Sequence, residues 1–175
     1  PESGADLRLG MAAGEVLDTA ALIAWPLERM RGSLVVPGQR VELARISPDR
    51  EILLDAAGLE WASPGPDALA RASDIAVSTG DMAGLSPVDL ELLALAVERA
   101  ATLVTDDYRL QNLCEKGGLP WLSVTMEGVR ALWAWELHCT GCGAVLPTPE
   151  LPNPSRELGY CVDCGSELGL RRKMD

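Results

Sequence analysis

Short apolar runs alternate along this chain with stretches of helical repeat, and that alternation sets its class. GEVLDTAALIAW, residues 14–25, reads as a strand ending at Asp18, followed by a brief helix that Thr19 opens and Pro26 terminates. SLVVP, 33–37, is a second short strand. The GQRVELARI after it predicts a helix with Glu42 one turn in, and with Val41 and Ala44 or Arg45 on neighbouring faces. Residues 48–57 predict a further helix, and LEWAS, 59–63, an edge strand closed by the breaker Pro64-Gly65-Pro66. A helix over 67–79 then leads through the loop GDMAG.

The next stretch, LSPVDLELLALAVERAATLVTDDYRLQN, has the clearest boundaries. Ser86 is placed to cap a helix, Pro87 suits its first position, and Asp89 at the third completes a capping-box pattern. The run that follows is apolar around most of its circumference, as a helix buried against a sheet would be. ATLVT predicts a strand ending at Asp106 and Asp107. YRLQNLCEK predicts a helix stopped by Gly117 and Gly118, LPWLSV a last strand, 126–132 a short helical piece, and WAWELHC a strand running into a cysteine pair.

Strands alternating with helices predict a three-layer α/β/α sandwich on a parallel sheet. In such sheets ligands bind outside the carboxyl ends of the strands, where Asp18 and the Asp106/Asp107 pair fall. Each acid alone also suits a turn or a helix start for local reasons. Together they make a candidate site.

A chain of 175 residues with 47% hydrophobic content is long enough for one core and a small appendage. It has neither an eighteen-residue apolar run nor a signal segment, which predicts a soluble, cytoplasmic protein without a membrane partner. The formal charge of −11 argues against a nucleic-acid binder. Two features soften that argument. The basic side chains are nearly all arginines, which fork onto phosphates, and carboxylates holding divalent cations make the formal charge overstate the local field.

Cys139-x2-Cys142 and Cys161-x2-Cys164, with eighteen residues between, have zinc-ribbon spacing, and nearby glycines permit the tight knuckles. Four thiolates close the coordination sphere, so this Zn²⁺ is structural and supplies the fold of a module too small for its own core. His138, the single histidine, is a bystander, and Cys114 a small buried hydrophobe. Domains are expected at 12–130 and 131–175. With one histidine beside the ribbon, Ser-His-Asp and Cys-His chemistry find no base.

VLDTAALI, VELARI, LSPVDLELLALAVE and TLVTDDYRLQN, in that order and followed by a four-cysteine ribbon, resemble the PIN-domain nucleases, specifically the archaeal NOB-type endoribonucleases. The resemblance implies a PIN-like fold and a carboxylate site of Asp18, Glu42, Asp89 and Asp107 with Asp106 beside it. Either acid of the pair is a candidate ligand, and the family's threonine-x-aspartate pattern favours Asp107. It further implies Mg²⁺ or Mn²⁺ on Asp18, Asp89 and Asp107, and hydrolysis leaving a 5′ phosphate and a 3′ hydroxyl. The implied substrate is precursor small-subunit rRNA at its 3′ end, with the small ribosomal subunit and assembly factors as partners. Oxygen-only ligands independently suit these ions. Tyr108, Arg109, Gln111, Asn112 and the basic Arg171, Arg172 and Lys173 are candidate RNA contacts. Two other readings are a toxin-type PIN ribonuclease with a protein antidote and a non-catalytic RNA- or ribosome-binding module.

Overall fold

The computed structural model describes residues 14–125, 135–148 and 157–173. The expected helix at 126–132, the boundary at 130/131 and residues 1–13 lie outside them.

The chain runs β1 (Glu15–Leu17), α1 (Thr19–Ala24), α2 (Leu27–Met30), β2 (Leu34–Val35), α3 (Gly38–Ile46), α4 (Pro48–Leu53) and β3 (Glu60–Trp61). It continues with α5 (Pro66–Thr79), a 3₁₀ turn (Asp81–Gly84), α6 (Pro87–Arg99), β4 (Thr102–Val104), α7 (Tyr108–Gly117) and β5 (Trp121–Leu122). These five strands form a parallel sheet in the order β3-β2-β1-β4-β5, with β3 at an edge as its sequence predicts.

Side chains alternate across the sheet with the strand period of two, and both faces are covered. Val16, Leu34 and Leu103 join a core with α5, α6 and α7. Their neighbours Leu17, Val35 and Val104 join a second core with α1, α2 and α3. This is the three-layer α/β/α sandwich. In α3 the buried residues are Gln39 and Leu43, one turn apart, while Val41 is 71% exposed. Gln39 is buried because its amide ties two strands together, donating to Leu17 O at 2.9 Å and accepting from Val36 N at 2.9 Å.

A second sheet, antiparallel and ordered β7-β6-β8, joins β6 (Trp135–Cys139), β7 (Val145–Leu146) and β8 (Leu168–Arg172). Gly80, which ends α5 at φ +80°, lies against the start of β6: a Cβ there would sit 1.7 Å from Trp135 O. Gly80→Ala therefore meets a backbone clash and a left-handed penalty together, and is expected to lower stability by about 2 kcal/mol or more in thermal melts. A melting temperature equal to the wild type would show that this contact is not formed.

Candidate functional site: a carboxylate cavity and a four-thiol cluster

The strand order reverses at β1 and β4: from β1 the chain moves outward to β2 and β3, then crosses to β4 on the other side. The crevice past the carboxyl ends of these two strands is the switch point where α/β sheets take ligands. Leu17 pairs with Val104, and Asp18 N donates to Val104 O at 3.0 Å, so the loops carrying Asp18 and 105–107 leave the sheet side by side.

Three of the acids are built into helix starts. Asp18 caps α1, with Oδ1 accepting from Ala21 N at 2.9 Å. Asp107 caps α7, with Oδ1 accepting from Arg109 N at 2.8 Å. Asp89 closes the capping box that its sequence predicts: its Oδ2 accepts from Ser86 N at 3.0 Å while Ser86 Oγ accepts from Asp89 N at 3.1 Å. These hydrogen bonds orient each carboxylate at the start of its helix. Glu42, from α3, accepts from Thr19 Oγ1 at 2.9 Å. Asp18, Glu42, Asp89 and Asp107 all line one open cavity of about 510 Å³, together with Arg45, the single positively charged side chain in its wall.

Asp106 is not in that wall. Its Oδ1 accepts from Ser123 Oγ at 2.6 Å, Val124 N at 2.7 Å and Thr125 N at 3.2 Å, which fastens the end of β5 to the end of β4. Burial pushes its carboxyl up, but these hydrogen bonds outweigh it and hold the group below the ordinary carboxylate range.

Asp18 is the acid of the cavity that burial perturbs most. It is 7% accessible, and burial, reinforced by the charges of Asp106 and Asp107, pushes it up to about 6 against the pull of hydrogen bonds from Thr105 and Ala21. A buried carboxylate that resists ionising, set among other oxygen donors, fits a hard divalent cation. Among the described residues no three of these carboxylates bring oxygens within 4.8 Å of one another.

Several residues that support the site were not singled out in the sequence. Thr19 holds Glu42; Thr105 Oγ1 accepts from Asp107 N at 3.0 Å. The signal was available, since each threonine directly precedes or follows an acid of the motif. Gln111 and Asn112, expected as candidate RNA contacts, are instead buried, and Gln111 Nε2 donates to Thr105 O at 2.8 Å. Arg109 is partly buried, its side chain 32% accessible, and donates to Gly84 O at 2.9 Å. The amphipathic spacing of α7 allowed either face outward, and packing against α5 and α6 selected this one. Arg171 pairs with Glu136 at 2.5 Å.

The four cysteines are the one group of described metal-ligand side chains whose donor atoms all lie within 4.8 Å of one another. Cys139 and Cys164 Sγ are 3.3 Å apart and Cys142 and Cys161 Sγ 3.8 Å, close to the ~3.8 Å edge of a tetrahedron with ~2.3 Å Zn–S bonds. The two knuckles repeat one another: Gly143 N donates to Cys139 O at 3.0 Å and Gly165 N to Cys161 O at 2.9 Å, each glycine at φ +76°. Gly141 N and Cys142 N also point at Cys139 Sγ, at 3.3 and 3.4 Å. This donor set fits Zn²⁺. His138 stands outside it, its Nδ1 2.9 Å from Gly169 O. Cys114 is buried in the sheet core, which pushes its thiol up to about 12 and leaves it unreactive.

The family described as "PIN domain of ribonuclease" matches residues 16–98, the segment carrying Asp18, Glu42 and Asp89. The chain is 32% identical over 156 residues to Ribonuclease VapC1 of Thermoplasma acidophilum, covering 87% of this chain and 75% of that one. It is 32% identical over 165 residues to Endoribonuclease Nob1 of Methanothermobacter thermautotrophicus, covering 90% and 92%, and 35% identical over 120 residues to Endoribonuclease Nob1 of Pyrococcus abyssi, covering 69% and 70%. Similarity that covers nine-tenths of both chains takes in more than the carboxylate-bearing sheet alone, and the chain belongs to the NOB-type PIN-domain nucleases.

Proposed function

We propose that this protein is a divalent-metal-dependent endoribonuclease that cleaves precursor rRNA at the 3′ end of the small-subunit (16S) rRNA during ribosome assembly in the cytoplasm. The observation that carries the reading is the convergence of Asp18, Glu42, Asp89 and Asp107, from four separate segments, on one cavity at the switch point. Asp18, Asp89 and Asp107 would hold Mg²⁺ or Mn²⁺. Glu42, steadied by Thr19, orients the attacking water and takes its proton. When bound, the cation supplies positive charge that offsets the build-up on the phosphate and makes a neighbouring water more acidic. Water oxygen bonds to phosphorus, the P–O3′ bond breaks, and the leaving 3′ oxygen takes a proton from solvent to become a hydroxyl while Glu42 returns its proton to solvent. Asp106 keeps the β4 and β5 ends together and touches no reacting atom in this scheme.

The acidic balance bears on how RNA is held. Arg29, Arg40, Arg99 and Arg171 are engaged with acids of the same chain, whereas Arg45 stands in the cavity wall, placed for a phosphate. We assign residues 12–130 to the nuclease domain and 131–175 to a zinc ribbon. Among the described residues no helix is long and apolar enough to cross a membrane.

The similarity to a VapC ribonuclease supports a second reading, a toxin-type nuclease held by a protein antidote. The four-thiol cluster and the fuller coverage of a Nob1 relative favour the first. With Mn²⁺ present, the wild type is expected to cut a small-subunit rRNA 3′-end precursor at one position and to co-purify with small subunits. Indifference to that RNA, together with tight capture of a small partner protein, would decide for the toxin reading.

A further inference from the structure

Asp81 is a fully buried carboxylate that the proposed reaction does not use. It opens the 3₁₀ turn Asp81–Gly84, which joins α5 to the Ser86 cap of α6 and so leads directly into Asp89. Its Oδ2 accepts from Asn112 Nδ2 at 3.2 Å. Its Oδ1 has no hydrogen-bond partner and lies 3.9 Å from Arg109 Nε. Arg109 and Asn112 are three residues apart on α7, hence on one face of its first turn. Arg109 is pinned a second time where its Nη1 donates to Gly84 O at 2.9 Å. A Cβ on Gly84 would lie 2.4 Å from the guanidinium carbon, so only glycine leaves room for that side chain.

The neighbour of this network is Asp107, whose carboxylate the backbone N–H of Arg109 holds. A guanidinium two residues from a carboxylate is long enough to fold back onto it, and in a region this acidic the attraction is strong. Burying a carboxylate with one oxygen unsatisfied is costly, and an apolar residue serves stability better. The charge has a use if it keeps Arg109 occupied elsewhere.

We propose that Asp81 is a positioning residue that holds the Arg109 guanidinium on the Asp81–Gly84 turn, and so keeps the Asp107 carboxylate available to a divalent cation. The proposal rests on the carboxylate-site reading above. Without the buried charge, Arg109 swings to Asp107 and competes with the metal.

The test is titration of the full chain with Mn²⁺ alone, followed calorimetrically, with Asp107→Asn as the control that locates the ion in this cavity. Asp81→Asn is expected to weaken Mn²⁺ binding at least tenfold. Asp81→Asn/Arg109→Gln, which removes the competitor as well, is expected to return within threefold of the wild type. Unchanged Mn²⁺ affinity in Asp81→Asn with only a lower melting temperature overturns the proposal, as does a double variant as weak as the single. Should Asp81→Asn not fold, Asp81→Ser carries the same expectations. If neither single variant folds while Arg109→Gln does, the carboxylate is a stability element and the proposal falls. A wild type that binds no Mn²⁺ in the cavity overturns the site reading itself, which is a separate outcome.

Discussion

Asp18→Asn is expected to abolish cleavage, lowering kcat on the order of a thousandfold or more, while giving a metal-free protein more stable than the wild type at pH 7. The two effects have one cause. Asp18 is buried, and burial with the nearby charges of Asp106 and Asp107 pushes it up to about 6 from an ordinary 3.8. In the absence of metal the folded state therefore binds a proton more tightly than the unfolded state does. Stability is then greatest below pH 3.8 for this group, declines as pH rises from about 3.8 to about 6, and levels off above. The cost at pH 7 is at most about 3 kcal/mol. The amide keeps the cap on Ala21 N and carries no charge, so it recovers part of that cost while losing the oxygen a cation needs. Thermal melts in chelator, beside cleavage assays with Mn²⁺, read both. An inactive variant that is also less stable would mean that Asp18 serves the fold, and a fully active one would remove it from the site.

Cys161→Ser is expected to lose the bound zinc and with it the whole antiparallel sheet, leaving the parallel sheet intact. Among the described residues of 135–173 only Leu137, Cys139 and Cys161 are buried apolar groups, and two of those belong to the four-thiol cluster. Such a module has no core of its own, and the binding energy of a structural zinc, about 10 kcal/mol or more, is its folding energy. Metal analysis should show about one Zn²⁺ per chain in the wild type and none in the variant. Hydrogen exchange should show protection lost across β6–β8 and kept in β1, β4 and α6. Stoichiometric zinc with undiminished protection in the variant would remove Cys161 from the ligand set.

Much of the site was legible from order along the chain. The Ser86-Pro87-x-Asp89 start and the two C-x-x-C pairs are local patterns whose geometry follows from a few adjacent residues, and the structure forms the capping box and gathers the thiols as those patterns imply. Glu42 could be placed on a helix but not on a partner: Thr19, twenty-three residues earlier, reaches it only after β1 and β2 have paired. The division of labour between Asp106 and Asp107 was equally closed to the sequence. Two adjacent acids leave a strand in different directions, and which one turns to the cavity depends on where β5 ends, because Ser123 to Thr125 supply the donors that hold Asp106.

What the sequence determined by itself was the alternation of elements, the sandwich class and the metal-ligand spacing of the cysteines, all of which rest on periodicities and contacts within a few residues. Only the tertiary structure decided that β4 lies beside β1, that Gln111 and Asn112 are buried rather than exposed to RNA, and that a buried Asp81 pairs with Arg109. Those depend on contacts between segments tens of residues apart. For such contacts the burial of one face against another outweighs any local preference, so a repeat along one helix names two faces without saying which is covered.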